Sequence, residues 1–133
     1  MAGKIVFSGS CLTAMTMTCQ RFPAISETII AGGFIAETGG KGTNQALAAS
    51  KLGSSVTLIG CIGDDAFGQS VLQTHKDFGV DVSGVRVHPT APTGTAFILV
   101  NEDGNNMIAV ALGANGELAS TDIDSNHHLI KGA

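Results

Sequence analysis

The sequence predicts an α/β fold: the start of a mostly parallel sheet, with a small β-sheet flap inserted into it. Two observations carry this. Short apolar runs at Lys4 to Ser10 and Val56 to Ile62 alternate with helix-forming segments, the rhythm of strand, helix, strand, helix. Two further apolar runs, Thr95 to Asn101 and Asn106 to Leu112, flank the polar Glu102-Asp103-Gly104-Asn105, which signals a hairpin.

Lys4 to Ser10 is expected to be a buried strand ending in a glycine turn at Gly9. Ligands of open α/β sheets bind beyond the C-terminal ends of strands, so Gly9 to Ala14 is a place for contacts. Met15 to Arg21 is β-like until Phe22-Pro23 breaks it, and Thr28 to Thr38 reads as more strand with a kink at Gly32-Gly33. These two segments would form the flap between the first strand and the first helix.

Gly42 to Leu52 is expected to be that helix, since Ala46, Leu47, Ala48 and Ala49 favour it and Gly53 is placed to stop it. Asp64 or Asp65 would cap a second helix reaching Phe78, with Phe67, Val71, Leu72, His75 and Phe78 near one face and Gly79 ending it. Val85 to His88 is a short strand and Pro89 to Pro92 a connector. Ser120 to Ile130 would be a last helix, capped by Ser120 or Thr121.

A chain of 133 residues can bury one core, and 44% hydrophobic against 14% charged residues argues for a folded protein. The net charge is −4 without any run of Lys or Arg, so no nucleic-acid partner is expected. No apolar stretch approaches the roughly 18 residues of a membrane span, so no membrane role is expected. Cys11, Cys19 and Cys61 are an odd set without a Cys-x-x-Cys pair and read as reduced thiols, which points to a cytoplasmic protein. The hydroxyl-rich start is a better strand than signal peptide. His75 is expected at the edge of the core, and the adjacent His127 and His128 make a poor metal pair.

The chemistry concentrates in Gly39-Gly40-Lys41-Gly42-Thr43-Asn44-Gln45-Ala46. A Gly-Gly alone is a tight turn. Here Lys41 and Asn44 lie inside the glycine cluster, and a helix N-terminus offering free N–H groups follows, which suits hydroxyls or phosphates. Two known phosphate loops fail to match. A P-loop would need Ser or Thr after Lys41 and Gly at the position of Ile35, and the dinucleotide fingerprint would need Gly at Gln45.

That stretch, followed by Leu52-Gly53 and Gly63-Asp64-Asp65, resembles the N-terminal signature of the ribokinase-like (PfkB) sugar kinases. Its wording is closer to ribokinases than to adenosine kinases or fructokinases. Gly9-Ser10, Phe22-Pro23 with Glu27-Thr28, Thr93-Gly94 and Gly113-Ala114-Asn115 follow in the same order, so the resemblance covers the chain from Ile5 onward.

The resemblance implies an N-terminal portion of a ribokinase-like parallel-sheet sandwich with an inserted lid, residues 1–133 forming one partial domain with lid strands near 15–38 and 95–112. It implies transfer of the γ-phosphoryl of ATP to a sugar hydroxyl, with Mg²⁺ and a monovalent cation serving the full-length family and none expected for this chain alone. Ribose is the implied ligand, with Gly40, Lys41, Gly42, Thr43 and Asn44 holding it and Ala96, Ile98 and Val110 on the covering flap. The family's Gly-Ala-Gly-Asp motif, base and most of its ATP site lie in a C-terminal part, and no Gly-Ala-Gly-Asp occurs in this sequence. The flap's apolar strands imply a homodimer through the lid. The rival expectation is a non-catalytic binding or dimerisation module.

One departure falls on Leu12, Thr13 and Ala14, which complete the candidate set. Ribokinases carry a sugar-binding Asp aligned with Ala14, and many carry an Asn aligned with Leu12. Losing a charge-assisted bond costs roughly 1.5–3 kcal/mol, or about 10- to 150-fold in affinity. Either the substrate differs or the site is impaired.

Overall fold

The computed structural model describes residues 3–133. Three strands, β1 (Lys4–Ser8), β4 (Ser55–Gly63) and β5 (Asp81–His88), form an all-parallel sheet in the order β1-β4-β5. Helices α1 (Lys41–Lys51) and α2 (Ala66–Asp77) make the crossovers. The core lies between them: Val56, Leu58 and Ile62 of β4 meet Ala46 of α1, Val71 of α2 and Cys11. β4 is buried from Val56 to Gly63, which is why it is a continuous apolar run rather than an alternating one.

A second sheet holds the strands expected to form the lid and keeps that name. Strands β2 (Leu12–Thr18), β3 (Phe34–Gly39), β6 (Gly94–Val100) and β7 (Asn106–Ala111) lie in the order β3-β2-β6-β7. β2 and β6 are parallel, while both outer pairs are antiparallel, including the expected β6–β7 hairpin. Register places Glu37, Ala14, Ala96 and Val110 side by side across the four strands. Residues directly opposite one another share a face, so this row is one strip of the sheet surface.

Several boundaries differ from expectation. Strand structure begins at Leu12, because β2 takes β6 as a partner from Leu12 opposite Gly94 onward. It ends at Thr18, and residues 19–33 hold no strand. Gly32 and Gly33 donate to the Thr18 carbonyl and hydroxyl, and the Thr18 N–H donates to the Gly33 carbonyl, which closes the end of the β2–β3 pairing. The last helix is two pieces, α3 (Ser120–Ser125) and α4 (His127–Ile130), preceded by a 3₁₀ turn at Gly113–Glu117. Ala119, not Ser120 or Thr121, is the N-cap, because the Asp122 carboxylate reaches back to its N–H at 2.9 Å. The Asn126 amide donates to the Asp122 carbonyl at 2.7 Å where the two pieces meet.

Of the two expected caps for helix α2, Asp64 and Asp65, the structure uses Asp65, whose side chain accepts from the Gly68 N–H. Its apolar face is narrower than the sequence suggested. Val71 and His75 are buried, but Phe67 and Phe78 stay partly in water, with the Lys51 ammonium 4.6 Å from the Phe78 ring centre. His75 is fully buried rather than at the core edge. Cys11, Cys19 and Cys61 are buried free thiols, and burial pushes Cys11 up to about 12. No described helix is long and apolar enough to cross a membrane.

Candidate functional site

The edge strand β3 runs straight into the glycine loop. Only Gly40 separates its last residue, Gly39, from the first residue of α1. Gly40 holds φ +102°, and a Cβ there would sit 2.5 Å from the Ser10 carbonyl oxygen. Both facts restrict the position to glycine. The loop is therefore pressed against the turn that follows β1.

Ser10 fastens that contact. Its hydroxyl accepts from the Lys41 N–H and its carbonyl from the Thr43 N–H, both at 3.2 Å. Asn44 N–H already bonds the Gly40 carbonyl. Two of the N–H groups at the helix start, those of Lys41 and Thr43, are thus taken up by Ser10. The helix start is a held element here, and the donors left for a ligand are mainly the Lys41 and Asn44 side chains, both exposed.

Those side chains border a groove of about 580 Å³ between the loop and the lid. Gly40, Lys41 and Asn44 form its polar wall, with Ser10 beside them. The opposite wall is the lid face carrying Leu12, Ala14, Ala96, Ile98 and Val110. Eight candidates chosen from sequence therefore come together: Leu12, Ala14, Gly40, Lys41, Asn44, Ala96, Ile98 and Val110.

Three candidates stand elsewhere. Thr13 alternates with Leu12 and Ala14 on β2, so it faces the other side of the sheet, toward Thr38 and α2. Gly42 is buried against the turn, where a Cβ would lie 2.8 Å from the Gly9 carbonyl carbon. Thr43 is fully buried, with no described partner for its hydroxyl. Gly42 serves the packing of the loop, and neither it nor Thr43 lines the groove.

Sequence reasoning missed Glu37. It lines the groove and lies opposite Ala14 in the β2–β3 pairing. Counting back two residues from Gly39 along an alternating strand would have put it on that face. Ile108 and Leu112 also line the groove, on the same face of the hairpin.

The lid is pinned to the body at two points. Asp65 accepts from the Thr93 N–H at 2.9 Å and the Thr93 hydroxyl at 2.6 Å, just before β6. Partial burial pushes the Asp65 carboxyl up, but bonds from Thr93 and Gly68 outweigh this and hold it below the ordinary range. At the same end of the sheet, just before β2, the Asn115 side chain accepts from the Cys11 N–H at 2.9 Å and donates to the Cys11 carbonyl at 2.8 Å.

Comparison with known proteins gives the family. The family model for pfkB family carbohydrate kinases matches residues 2–132. A ribokinase of Schizosaccharomyces pombe is 41% identical over 121 residues, which is 86% of this chain and 38% of that protein. A ribokinase of Mus musculus is 35% identical over 92% of this chain and 38% of its own length. Among solved structures, ribokinase from Giardia lamblia superposes with a TM-score of 0.88 at 32% identity, covering 98% of this chain and 39% of that one. Arabidopsis thaliana ribokinase complexed with ribose and ATP gives 0.87 at 32% identity, covering 100% of this chain and 44% of that one. The chain spans about two fifths of the length of these relatives. With a matching family model over nearly its whole length, the chain belongs to the pfkB family of carbohydrate kinases.

Proposed function

We propose that this chain builds the sugar-holding side of an ATP-dependent carbohydrate kinase, with ribose as the ligand. One observation carries the reading: the groove sets Lys41 and Asn44 against an apolar strip of lid. A sugar presents hydroxyls at its rim and C–H groups on its faces. Each buried hydroxyl needs a partner, and the C–H faces favour apolar surface. Similarity to ribokinases, one solved with ribose and ATP, supports the choice of sugar.

Phosphoryl transfer further requires a base for the sugar hydroxyl and positive groups on the transferred phosphate. The first turn of α1 is engaged by Ser10. The reading assigns sugar binding to this chain and transfer of the γ-phosphoryl to the family's remaining length. Sugar-dependent ATP turnover by the purified 133-residue chain would overturn that division.

Calorimetric titration of ribose into the chain, beside an Ala14→Asp variant, tests the sugar site. Saturable binding by either supports it, and no binding by either overturns it.

A second reading, a non-catalytic module that dimerises through the lid, is favoured by the lid's exposed apolar residues. Phe97, Met107, Ile108 and Val110 each keep more than half of their surface in water. Sedimentation at increasing concentration distinguishes the two: saturable dimerisation without sugar binding supports this second reading, and a monomer throughout removes it.

A further inference from the structure

We infer that Glu37 is the specificity-determining acceptor of this groove: its carboxylate takes hydrogen bonds from the ligand's hydroxyls across the space left open by Ala14. The inference rests on the sugar-site reading above and adds a residue to it.

The groove's charge inventory points to Glu37. Among the residues lining it, Glu37 is the one carboxylate and Lys41 the one cation. Neither forms an ion pair with any described residue, and Glu37 makes no side-chain hydrogen bond among them. Both charges are therefore uncommitted. A polyol offers each hydroxyl as donor and acceptor at once. Lys41 can only donate, and the apolar lid wall does neither. A groove without Glu37 would leave the ligand's donors to Ser10, the Asn44 carbonyl and backbone.

Register gives the reach. Glu37 stands directly opposite Ala14, and Ala14 directly opposite Ala96. Opposed residues place their Cβ atoms about 4.5–5.5 Å apart on one face. Two consecutive alanines therefore open a shallow trough beside Glu37. The Glu37 side chain, with two more rotatable carbons than Ala14, can lie along it. A larger residue at position 14 or 96 would fill the same space. β3 then passes through Thr38 and Gly39 into Gly40, so the acceptor is one short segment away from the donors Lys41 and Asn44. Acceptor and donors thus sit on one continuous piece of chain, and small shifts of the loop would carry both.

The ligand class is a neutral sugar or polyol with free hydroxyls, recognised by a charged acceptor on the β3 side. A carboxylate that accepts from a hydroxyl forms a stronger bond than a neutral acceptor does. An amide at the same place keeps the size and loses that strength.

The test is ribose titration into four forms of the full chain: unaltered, Glu37→Gln, Ala14→Asp, and Ala14→Asp with Glu37→Gln. The proposal expects binding by the unaltered chain, at least a tenfold loss in Glu37→Gln, and recovery in the double variant, where the carboxylate moves one strand over. A merely structural role for Glu37 would make Glu37→Gln cost the same with Asp at position 14 as with Ala there, whereas the proposal expects that cost to disappear once position 14 carries Asp. Binding by the unaltered chain that Glu37→Gln leaves within twofold overturns the proposal while the sugar site stands. Binding only when Asp is at position 14 does the same. No binding by any of the four overturns the sugar-site reading itself. Glu37 is exposed on an edge strand, so the substitution leaves the fold intact, and far-UV circular dichroism verifies this.

Discussion

Gly9 and Gly42 meet backbone to backbone. A Cβ on Gly42 would lie 2.9 Å from the Gly9 Cα, and one on Gly9 would lie 3.1 Å from the Gly42 Cα. The start of α1 is thereby seated on the turn after β1, and this seat fixes where Lys41 and Asn44 stand.

Gly42→Ala sets two effects against each other. Alanine favours a helix over glycine by about 1 kcal/mol. The added methyl would collide with backbone that cannot rotate away, and overpacking costs typically about 1–3 kcal/mol. The collision is expected to win, with a lower urea midpoint than the unaltered chain. An unchanged or higher midpoint would mean that α1 can lift off the turn without loss.

Asp65 should be a stability residue of the lid attachment. Asp65→Ala removes a helix cap worth about 1 kcal/mol. It also strips the buried Thr93 of acceptors, at a further cost of about 1–3 kcal/mol. The pH sign follows from the depressed carboxyl. Its stabilisation is present above the ordinary value of 3.8 and is lost as pH falls below it through the folded value. Urea unfolding of the unaltered chain and Asp65→Asn across pH 3 to 6 should converge at the acid end. Curves that stay parallel would dismiss the role.

His75 should act in a higher window. Its Nδ1 lies 2.8 Å from the Val71 carbonyl oxygen and so donates, while Nε2 is buried without a partner. Burial pushes the imidazole below its ordinary 6.5, and the bond to Val71 opposes this only partly. The folded chain keeps this ring neutral where the unfolded chain takes up a proton. Stability is therefore full above 6.5 and declines as pH falls from there toward the folded value. His75→Leu should flatten the stability profile between about pH 5.5 and 7. An unaltered slope in that variant would assign the acid sensitivity elsewhere.

Asn44→Ala separates binding from folding. Asn44 is exposed on the first turn of α1, so stability should change by no more than about 0.5 kcal/mol. Ribose affinity of whichever form binds should fall by about fivefold or more, the equivalent of about 1 kcal/mol for a hydrogen bond. Equal affinity would remove Asn44 from the polar wall.

The Gly39-to-Asn44 stretch was legible as a site because it departs from what a plain turn needs: polar side chains inside a glycine cluster. Its glycines were harder to interpret. Gly42, which the resemblance implied would hold the sugar, is packed against Gly9. The free N–H groups at the helix start were a sound inference from local structure, yet Ser10, 31 residues from Lys41, takes up one of them with its hydroxyl. Gly32-Gly33 read as a kink within a strand and instead lies just before β3, bonded to Thr18 at the end of β2.

The sequence by itself determined the family, the order of strands and helices, an aspartate cap at position 64 or 65 and the hairpin, because each is written in local pattern and spacing. Tertiary structure alone decided which residues share the groove. Strand register sends Thr13 away from the site and brings Glu37 beside Ala14, and a shift of one residue would have reversed both. Register is set by partners distant in the chain, as when β2 takes β6 more than eighty residues later by matching Leu12 to Gly94, and a reading along the sequence carries no term for it.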